Sequence, residues 1–352
     1  MKESEVIKGK FYSVHIDAKL KSLRSFLKEK KYSSVIVLTD SNTQEFCLEE
    51  FLALTRLKIF FHINIEAGEE NKTLETAIAV WNKMLPVADR KSLLINLGGG
   101  VVSDTGAFAA SVFKRGIDFI NVPTTLLSMT DAAIGGKNGV DFGFKKNQLG
   151  TFAHPKAIFI SVSWLKSVSD LEMKSAYGEI AKQALLDGKK RWKNFLEHFS
   201  SKENTEDVIA SAIKFKLKIV DKDLKDHGIR KQLNLGHTVG HALESFCLEK
   251  GRPVPHGIAV AAGMICELRL SEQVFKKKNF FHAEIEFLKI NFPRVEFSES
   301  ELPEILSFIS SDKKNENRKV KPALLEKIGK ANWENEVSLK KIEASLNEYI
   351  KS

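Results

Sequence analysis

The chain has 352 residues, of which 43% are hydrophobic and 28% are charged, and its formal net charge is +9. This composition is ordinary for a globular protein long enough for two domains, and we find no internal repeat or low-complexity segment. A basic balance suits nucleic acids, acidic membranes or anionic metabolites. Because the lysines are spread along the chain without a recognisable nucleic-acid motif, we expect an anionic small-molecule partner and no nucleic acid.

Cysteine usage and hydropathy indicate the compartment. The three cysteines, Cys47, Cys247 and Cys266, form no CxxC pair, and an odd, sparse set argues against a disulfide scaffold. The first residues lack the apolar core of a signal peptide, and no run approaches the roughly 18 apolar residues of a membrane-spanning helix. We therefore expect a soluble, cytoplasmic protein with no membrane partner.

Strand-like and helix-like patterns alternate in the first half of the chain. Short apolar runs rich in β-branched residues span 34–39, 59–65, 92–97, 119–122 and 157–160. Helical periodicity fills segments between them, for example at 74–85. Strands that alternate with helices predict a mostly parallel sheet with helices on both faces.

The pattern changes after about Trp164, where strand signals are almost absent. The segments that look helical are 171–186, 208–223, 237–248, 256–275 and 302–309. We therefore predict an α/β N-terminal domain over residues 1–162 and an all-α C-terminal domain over residues 163–352.

A glycine run follows the third predicted strand, in residues 98–104 (GGGVVSD). Three glycines allow a tight turn and bring backbone N–H groups close to a diphosphate, which a helix N-terminus also favours. The alternative is a plain strand-to-helix turn in which Asp104 caps the helix instead of binding a ligand hydroxyl. After another strand, residues 68–72 (GEENK) are candidates to hold the ribose end of a nucleotide.

A second polar turn covers residues 123–137 and carries threonines, glycines and Lys137. Asp131 is a candidate polar anchor, and Lys137 is a flexible cation suited to a phosphate or a carboxylate. Lys146 and Asn147 add an amine and an amide a little further on. The alternative for this stretch is a solvated basic loop.

Histidines cluster in the second half. His237 and His241 are four residues apart, so both rings would leave one face of a helix, and His256 follows. Upstream, Glu179 and Lys182 are three apart and share a helical face. A glutamate and two histidines around an open position is a known layout for catalytic zinc.

Each of these residues also has a simpler interpretation. A lone histidine is more often structural than a ligand, and Glu179 with Lys182 could be a surface ion pair. Lys216 and Arg230 have the same ambiguity. Histidines four apart usually suggest that both bind a metal, but no glutamate lies between them here, which weakens a metalloprotease interpretation. We interpret the group as functional because three histidines fall in one short window beside glycines.

Together, these motifs resemble those of the 3-dehydroquinate synthase family, within the sugar phosphate cyclases. They are GGGVVSD, KRGIDFINVPTTLL, GGK, KKNQLGTF, GEIAK, RKQLNLGHTVGHALE, HGIAVAAGM and DKK, in family order from about Gly68 to Lys314. The block RxxLNxGHTxGHxxE is highly specific, whereas the glycine turn is not. The resemblance implies a Rossmann-like α/β N-terminal domain followed by an all-α C-terminal domain.

The resemblance also implies an activity. It is the conversion of 3-deoxy-D-arabino-heptulosonate 7-phosphate to 3-dehydroquinate and phosphate, in the shikimate route to aromatic amino acids. The implied cofactors are catalytic NAD and a divalent metal, Zn²⁺ or alternatively Co²⁺, and the implied assembly is a homodimer. By motif match, Glu179, His237 and His256 would hold the metal, and His241 would lie beside it near the substrate phosphate.

The remaining implied site residues act on the substrate or on NAD. Those implied in catalysis are His241, Lys137, Lys182, Lys216, Arg230 and Asn234. Further implied substrate contacts are Asn147, a lysine of the pair Lys313 and Lys314, and Arg115. Arg115 would reach a phosphate site, either that of its own chain or that of the partner subunit in a homodimer. The NAD site would be lined by Glu69, Lys72, Gly99, Gly100, Val101, Asp104, Thr124, Thr125, Asp131 and Lys146.

Three other functions stay open on the sequence. Another cyclase would act on sedoheptulose 7-phosphate or glucose 6-phosphate, although Asn234 and the DKK lysines resemble the dehydroquinate branch. A metal-dependent polyol dehydrogenase shares the architecture and would accumulate NADH. A non-enzymatic protein with a degenerate site would lack ligands, whereas Glu179, His237 and His256 are all present.

Overall fold

The structure is a computed structural model that describes residues 4–58, 60–143, 145–201, 203–309 and 319–352. By the density of its internal contacts, one compact unit comprises the chain up to Ser169 together with Asn204–Lys225. The other comprises Asp170–Glu203 and the chain from Asp226 onward. The domain boundary expected after residue 162 stays a prediction. None of the described helices has the length and apolar character that crossing a membrane requires.

All five strands predicted from the sequence are present, together with others that were not predicted. The strands are β1 (Glu5–Lys8), β2 (Ser13–Ile16), β3 (Val35–Asp40), β4 (Phe61–Ile65), β5 (Leu93–Gly98), β6 (Asp118–Pro123), β7 (Lys137–Phe142), β8 (Lys145–Phe152), β9 (Ala157–Ile160), β10 (Lys319–Val320), β11 (Leu324–Lys327), β12 (Lys330–Asn332) and β13 (Val337–Ser338). The five predicted runs correspond to β3, β4, β5, β6 and β9 and are confirmed. The others are short or rich in polar residues, so their sequences give little strand signal.

The predicted helices are confirmed as well. The helices are α1 (Lys21–Glu29), α2 (Ser41–Phe46), α3 (Leu48–Thr55), α4 (Leu74–Met84), α5 (Gly100–Val112), α6 (Asp170–Asp187), α7 (Lys189–Ser201), α8 (Thr205–Val220), α9 (His237–Glu249), α10 (His256–Val274), α11 (His282–Asn291), α12 (Leu302–Ile309) and α13 (Leu339–Ile350). The predicted segments correspond to α4, α6, α8, α9, α10 and α12.

Seven strands of the first unit form one sheet in the order β1-β2-β9-β6-β5-β3-β4. β1 is antiparallel to β2, and the other neighbours are parallel. Alternate side chains of β3 enter different cores, because Ile36 and Leu38 pack with α4 and α5, whereas Val37 packs with α1 and α3. Helices therefore cover both faces, as predicted.

The carboxyl ends of β5 and β6 bring two predicted turns together. Gly98 is paired with Pro123 in the sheet, and the backbone N–H of Thr124 donates to Gly98 O at 3.1 Å. The glycine turn and the threonine turn are therefore adjacent at one edge of the sheet. This is the edge at which parallel α/β folds bind ligands.

The second unit is mainly helical, and α10 is its central helix, which packs against α6, α9, α11 and α13. Its strands pair as two short ribbons, β10 with β13 and β11 with β12. The fold class expected from the sequence, an α/β domain followed by a helical portion, is confirmed. The two ribbons are an addition that the sequence analysis did not predict.

Gly106 tests how closely α5 approaches the sheet. A Cβ built on Gly106 would lie 2.0 Å from Asn96 Oδ1 and 2.8 Å from Leu38 Cδ2. Alanine normally favours a helix over glycine by about 1 kcal/mol. Here we expect Gly106→Ala to lower the free energy of unfolding by about 1–3 kcal/mol, because α5 must move away from β3 and β5. Urea unfolding measures this change.

Gly100→Ala is the matched control on the same helix, since its added Cβ would meet Ala132 Cβ at 3.4 Å, an ordinary contact. We expect this variant to unfold like the wild type. A Gly106→Ala protein as stable as the wild type would contradict the close packing of α5 on the sheet.

Candidate metal centre and nucleotide site

The two helices that carry Glu179 and His256 touch at their backbones. A Cβ built on Gly178 would lie 2.2 Å from Gly257 O, and one built on Gly257 would lie 1.8 Å from Ser175 O. The backbone N–H of Gly257 also donates to Ser175 Oγ at 2.9 Å. Because Gly178 precedes Glu179 and Gly257 follows His256, this crossing of α6 and α10 brings the two candidate ligands side by side.

Glycines also set the crossing of α9 with α10. Gly236 has a φ of +80°, and a Cβ there would lie 2.7 Å from both Val260 O and Met264 Cγ. On the facing helix, a Cβ on Gly263 would lie 2.0 Å from Gly236 O. Since α9 begins at His237, this contact fixes the first turn of the histidine helix against α10.

The expected ligand atoms converge. Glu179 Oε1 lies 3.6 Å from His237 Nε2 and 3.5 Å from His256 Nε2. Two atoms bound at about 2.0–2.1 Å to one tetrahedral ion are about 3.4 Å apart. The three side chains are therefore spaced like corners of one coordination tetrahedron, and their role as ligands stays a prediction.

Hydrogen bonds at the other ring nitrogen orient both imidazoles. His237 Nδ1 lies 3.2 Å from Leu235 O, and His256 Nδ1 lies 3.1 Å from Glu244 Oε2. An acceptor at Nδ1 favours the tautomer that carries its proton there, which leaves the Nε2 lone pair for a metal. Both Nε2 atoms are the ones that face Glu179, so the inferred tautomers agree with the geometry.

Burial and charge at Glu179 favour a cation. Its side chain is fully buried, its Oε2 contacts Lys182 Nζ, and its Oε1 has no hydrogen bond among the described residues. Burial alone would raise the pKa of Glu179, but Lys182, with His237 and His256, holds it well below its ordinary value. A buried carboxylate oxygen without a hydrogen bond is costly, so this donor set fits a divalent cation. The pair with Lys182 is buried, and the alternative of a surface ion pair is wrong.

The surroundings shift the pKa values of the two imidazoles in opposite directions. Burial and the nearby Lys182 ammonium lower the pKa of His237 well below its ordinary value, so this ring is neutral. Burial acts in the same direction on His256, but the carboxylates of Glu179 and Glu244 outweigh it and raise the pKa to about 10. A metal ion that takes the Nε2 lone pair of His256 must displace a proton, which links metal affinity to pH.

His241 offers a second ligand set. The candidate ligand atoms of His237, His241 and His256 lie within 4.8 Å of one another. His241 is exposed, however, whereas Glu179 is fully buried. We favour Glu179 as the third ligand because a buried carboxylate gains most from a cation. His241 then lies beside the centre, as the resemblance implies.

The remaining candidates of this unit precede α9 or fall outside the described residues. Arg230 is buried and Asn234 is exposed, and both lie in the 3₁₀ turn Ile229–Asn234. This turn leads directly into the histidine helix. Lys313 and Lys314 lie outside the described residues.

The glycine turn opens α5 in the first unit. Gly99 is the N-cap and provides no side-chain hydrogen bond, and a Cβ on it would lie 3.3 Å from Thr125 Cγ2. The N-terminus of this 13-residue helix favours an anion. The structure places at this edge Gly99, Gly100, Val101, Thr124 and Thr125. This placement fits the expected diphosphate site.

Lys72 connects other cofactor candidates. Its buried Nζ lies 2.5 Å from Asp104 Oδ2 and donates to Asn147 Oδ1 at 2.8 Å. A second ion pair joins the same two segments, because Lys146, which precedes Asn147, has its Nζ 3.4 Å from Glu69 Oε1. The structure thus groups Asn147, which the resemblance assigns to the substrate, with residues that it assigns to NAD.

Lys216 is joined to the turn that carries Asp131. Its Nζ donates to Asp131 O at 2.7 Å and lies 2.8 Å from Asp131 Oδ1. The side chain of Asn121 supports the same turn by donating to Ala133 O at 3.2 Å. A residue from the helical half of the sequence is therefore packed beside a cofactor candidate in the first unit.

Two candidate substrate cations of the first unit are exposed. Lys137 begins β7, and Arg115 ends the 3₁₀ turn Phe113–Arg115. Lys114, Arg115 and Gly116 have φ values of +50°, +71° and +106°. Successive left-handed residues are uncommon outside glycine, and such a constrained loop supports a functional hypothesis for Arg115.

Glu244 is a candidate that the sequence analysis did not assign. It accepts the hydrogen bond from His256 Nδ1 and is largely buried. A signal was present, because Glu244 follows His237 and His241 at helical spacing and so lies on the same face of α9. The sequence alone could not identify His256 as its partner, because the crossing of α9 and α10 brings the two side chains together.

Two family models match consecutive parts of the chain. The 3-dehydroquinate synthase N-terminal model matches residues 62–175, and the 3-dehydroquinate synthase C-terminal model matches residues 176–315. A 3-dehydroquinate synthase from Parabacteroides distasonis is 36% identical over 339 residues, which cover 94% of this chain and 95% of the relative.

Solved structures of two synthases share the fold. A 2-deoxy-scyllo-inosose synthase complexed with carbaglucose-6-phosphate, NAD⁺ and Co²⁺ has a TM-score of 0.86 at 22% identity, covering 98% of this chain and 99% of that chain. A 2-epi-5-epi-valiolone synthase from Streptomyces hygroscopicus with NAD⁺ and Zn²⁺ has a TM-score of 0.81 at 24% identity, covering 99% of both chains. From the two family models and the near full-length relative, the chain belongs to the 3-dehydroquinate synthase family.

Proposed function

We propose that the chain converts 3-deoxy-D-arabino-heptulosonate 7-phosphate to 3-dehydroquinate and phosphate, a carbon–oxygen lyase reaction of aromatic amino acid biosynthesis. The observation that carries this proposal is the convergence of Glu179 Oε1 with His237 Nε2 and His256 Nε2 at 3.6 and 3.5 Å, in a member of this family. The proposed cofactors are NAD and one divalent cation, Zn²⁺ or Co²⁺. The NAD⁺ and metal named for the two similar structures support them.

The side chains and the helix N-terminus described above have the chemistry that each cofactor would need. When bound, NAD supplies reversible hydride transfer and a divalent cation supplies Lewis acidity toward substrate oxygens. Glu179, His237 and His256 would hold the cation. The N-terminus of α5 would bind the NAD diphosphate, and Asp104, fixed by Lys72, would accept from a ribose hydroxyl.

The proposed substrate carries a carboxylate and a phosphate, so it needs cationic partners. Arg230 offers a planar fork for its carboxylate or phosphate, and Lys182 offers an ammonium beside Glu179. His241 is exposed next to His237 and is proposed to bind the phosphate and manage its protons. Further proposed contacts are Lys137, Lys216, Asn234, Asn147, Lys313 and Lys314.

We further propose a cytoplasmic homodimer. Arg115 is the residue proposed to reach the phosphate site of a second copy. Its exposure in a constrained left-handed loop supports this role. The described cysteines are all free and buried, which suits a reducing compartment.

Metal content tests the proposed ligands. We expect the wild type to bind about one Zn²⁺ per chain, and Glu179→Gln, His237→Ala and His256→Ala to lose more than the 10–100-fold in affinity typical of outer-shell changes. We expect His241→Ala to keep the metal and lose turnover. Elemental analysis and chelator competition measure the first effect, and phosphate release measures the second.

His282→Ala is the matched control, because His282 is an exposed histidine of the same unit at the start of α11. It should keep both metal and activity. Loss of metal in His241→Ala together with retention in Glu179→Gln would contradict the proposed ligand set and favour the three imidazoles.

Substrate choice tests the reaction itself. Purified protein with NAD⁺ and Zn²⁺ is offered 3-deoxy-D-arabino-heptulosonate 7-phosphate, sedoheptulose 7-phosphate and glucose 6-phosphate in parallel. We expect the first to release phosphate and form dehydroquinate without net NADH, because the hydride is returned in each turnover. Preference for another sugar phosphate would assign a different cyclase, and steady NADH accumulation would assign a polyol dehydrogenase.

A further inference from the structure

A buried carboxylate lies at the start of the histidine helix. Glu267, on α10, has a fully buried side chain. Its Oε2 accepts from the backbone N–H of Gly236 at 2.6 Å, and its Oε1 accepts from that of Val239 at 3.2 Å. Both carboxylate oxygens are therefore bound to the N-terminus of α9.

This cap comes from another helix because α9 has none of its own. Gly236, the N-cap, has no side chain to accept from the first turn. Its φ of +80° and the closeness of Val260 O and Met264 Cγ, 2.7 Å from a Cβ built there, leave no room for a capping residue. Glu267 supplies the missing acceptors across the helix contact.

Burying the carboxyl group of Glu267 costs more free energy than a solvent-exposed helix cap would. Burial raises the pKa of Glu267 to about 8, and only backbone N–H groups of the α9 start oppose the shift. What this side chain offers is two oxygens, which hold two separate backbone N–H groups at once, whereas a glutamine offers only one oxygen.

The clamp acts where the metal geometry is set. Gly236 immediately precedes His237, and Val239 lies two residues after it. His256 begins the helix that carries Glu267. A metal site tolerates displacements of only about 0.5 Å. The position of α9 along α10 therefore decides whether His237 Nε2 and His256 Nε2 stay at matching distances from Glu179.

We propose that Glu267 is a positioning residue of the metal centre, which fixes His237 relative to His256 through the N-terminus of α9. This role rests on the proposed function only in that the centre binds a metal. It does not depend on which sugar phosphate is the substrate.

The test compares Glu267→Gln and Glu267→Leu with the wild type. Zn²⁺ affinity is measured by competition with a chromophoric chelator, and amide hydrogen exchange of residues 236–240 is measured in the metal-free protein. We expect Glu267→Leu to lower Zn²⁺ affinity about 10–100-fold and to speed exchange of these amides. Glu267→Gln keeps one acceptor oxygen, so we expect an intermediate loss on both measurements.

Glu284→Gln is the matched control, since Glu284 is a largely buried carboxylate on α11 with a pKa that burial raises. We expect its Zn²⁺ affinity and the exchange at 236–240 to equal those of the wild type. An equal loss of affinity in this control would overturn the role of Glu267 in favour of general destabilisation.

Zn²⁺ affinity within twofold of wild type in a folded Glu267→Leu protein would also overturn the proposal. If that variant does not fold, Glu267→Gln decides in the same way. A wild type that binds no divalent ion would overturn the metal centre and this role together. A wild type that binds Zn²⁺ but does not act on the heptulosonate phosphate would overturn only the proposed substrate.

Discussion

The backbone contact between α6 and α10 at Gly178 and Gly257 is the constraint on which the candidate metal centre depends. At this distance no Cβ fits on either residue. The contact carries Glu179 and His256 to within 3.5 Å of each other, and the glycine crossing of α9 with α10 adds His237. Three donors from separate segments become one site because glycines let three helices approach more closely than side chains allow.

Buried charge is the second feature of this arrangement. Glu179 is buried with one oxygen that has no hydrogen bond among the described residues, and His256 lies between two carboxylates that raise its pKa to about 10. A divalent cation held by Glu179, His237 and His256 would satisfy both conditions, since it would neutralise the carboxylate and replace the proton. Glu244 then has a defined task, because it keeps the Nδ1 proton of His256 and directs Nε2 toward Glu179.

Much of the fold could be predicted from local sequence because its main elements have strong periodicity. The apolar run of β5 predicts a strand, and the pattern at 302–309 predicts the exact bounds of α12. β7 and β8 are rich in polar residues, so the sequence gives no strand signal for them. The spacing of His237 and His241 likewise fixed their shared face. The links from Glu244 to His256 and from Lys216 to Asp131 join residues of different elements, 12 and 85 positions apart. Such contacts depend on helix crossings that no local pattern specifies.

The central claim is that one divalent ion is held by Glu179, His237 and His256, with His241 outside the ligand set. Anomalous diffraction at the zinc edge, from crystals of the Zn²⁺-loaded protein, tests it most directly. The account predicts one peak about 2.0–2.2 Å from a carboxylate oxygen of Glu179 and from the Nε2 atoms of His237 and His256. A peak bound by the three imidazoles without Glu179, or a peak elsewhere in the chain, would contradict it.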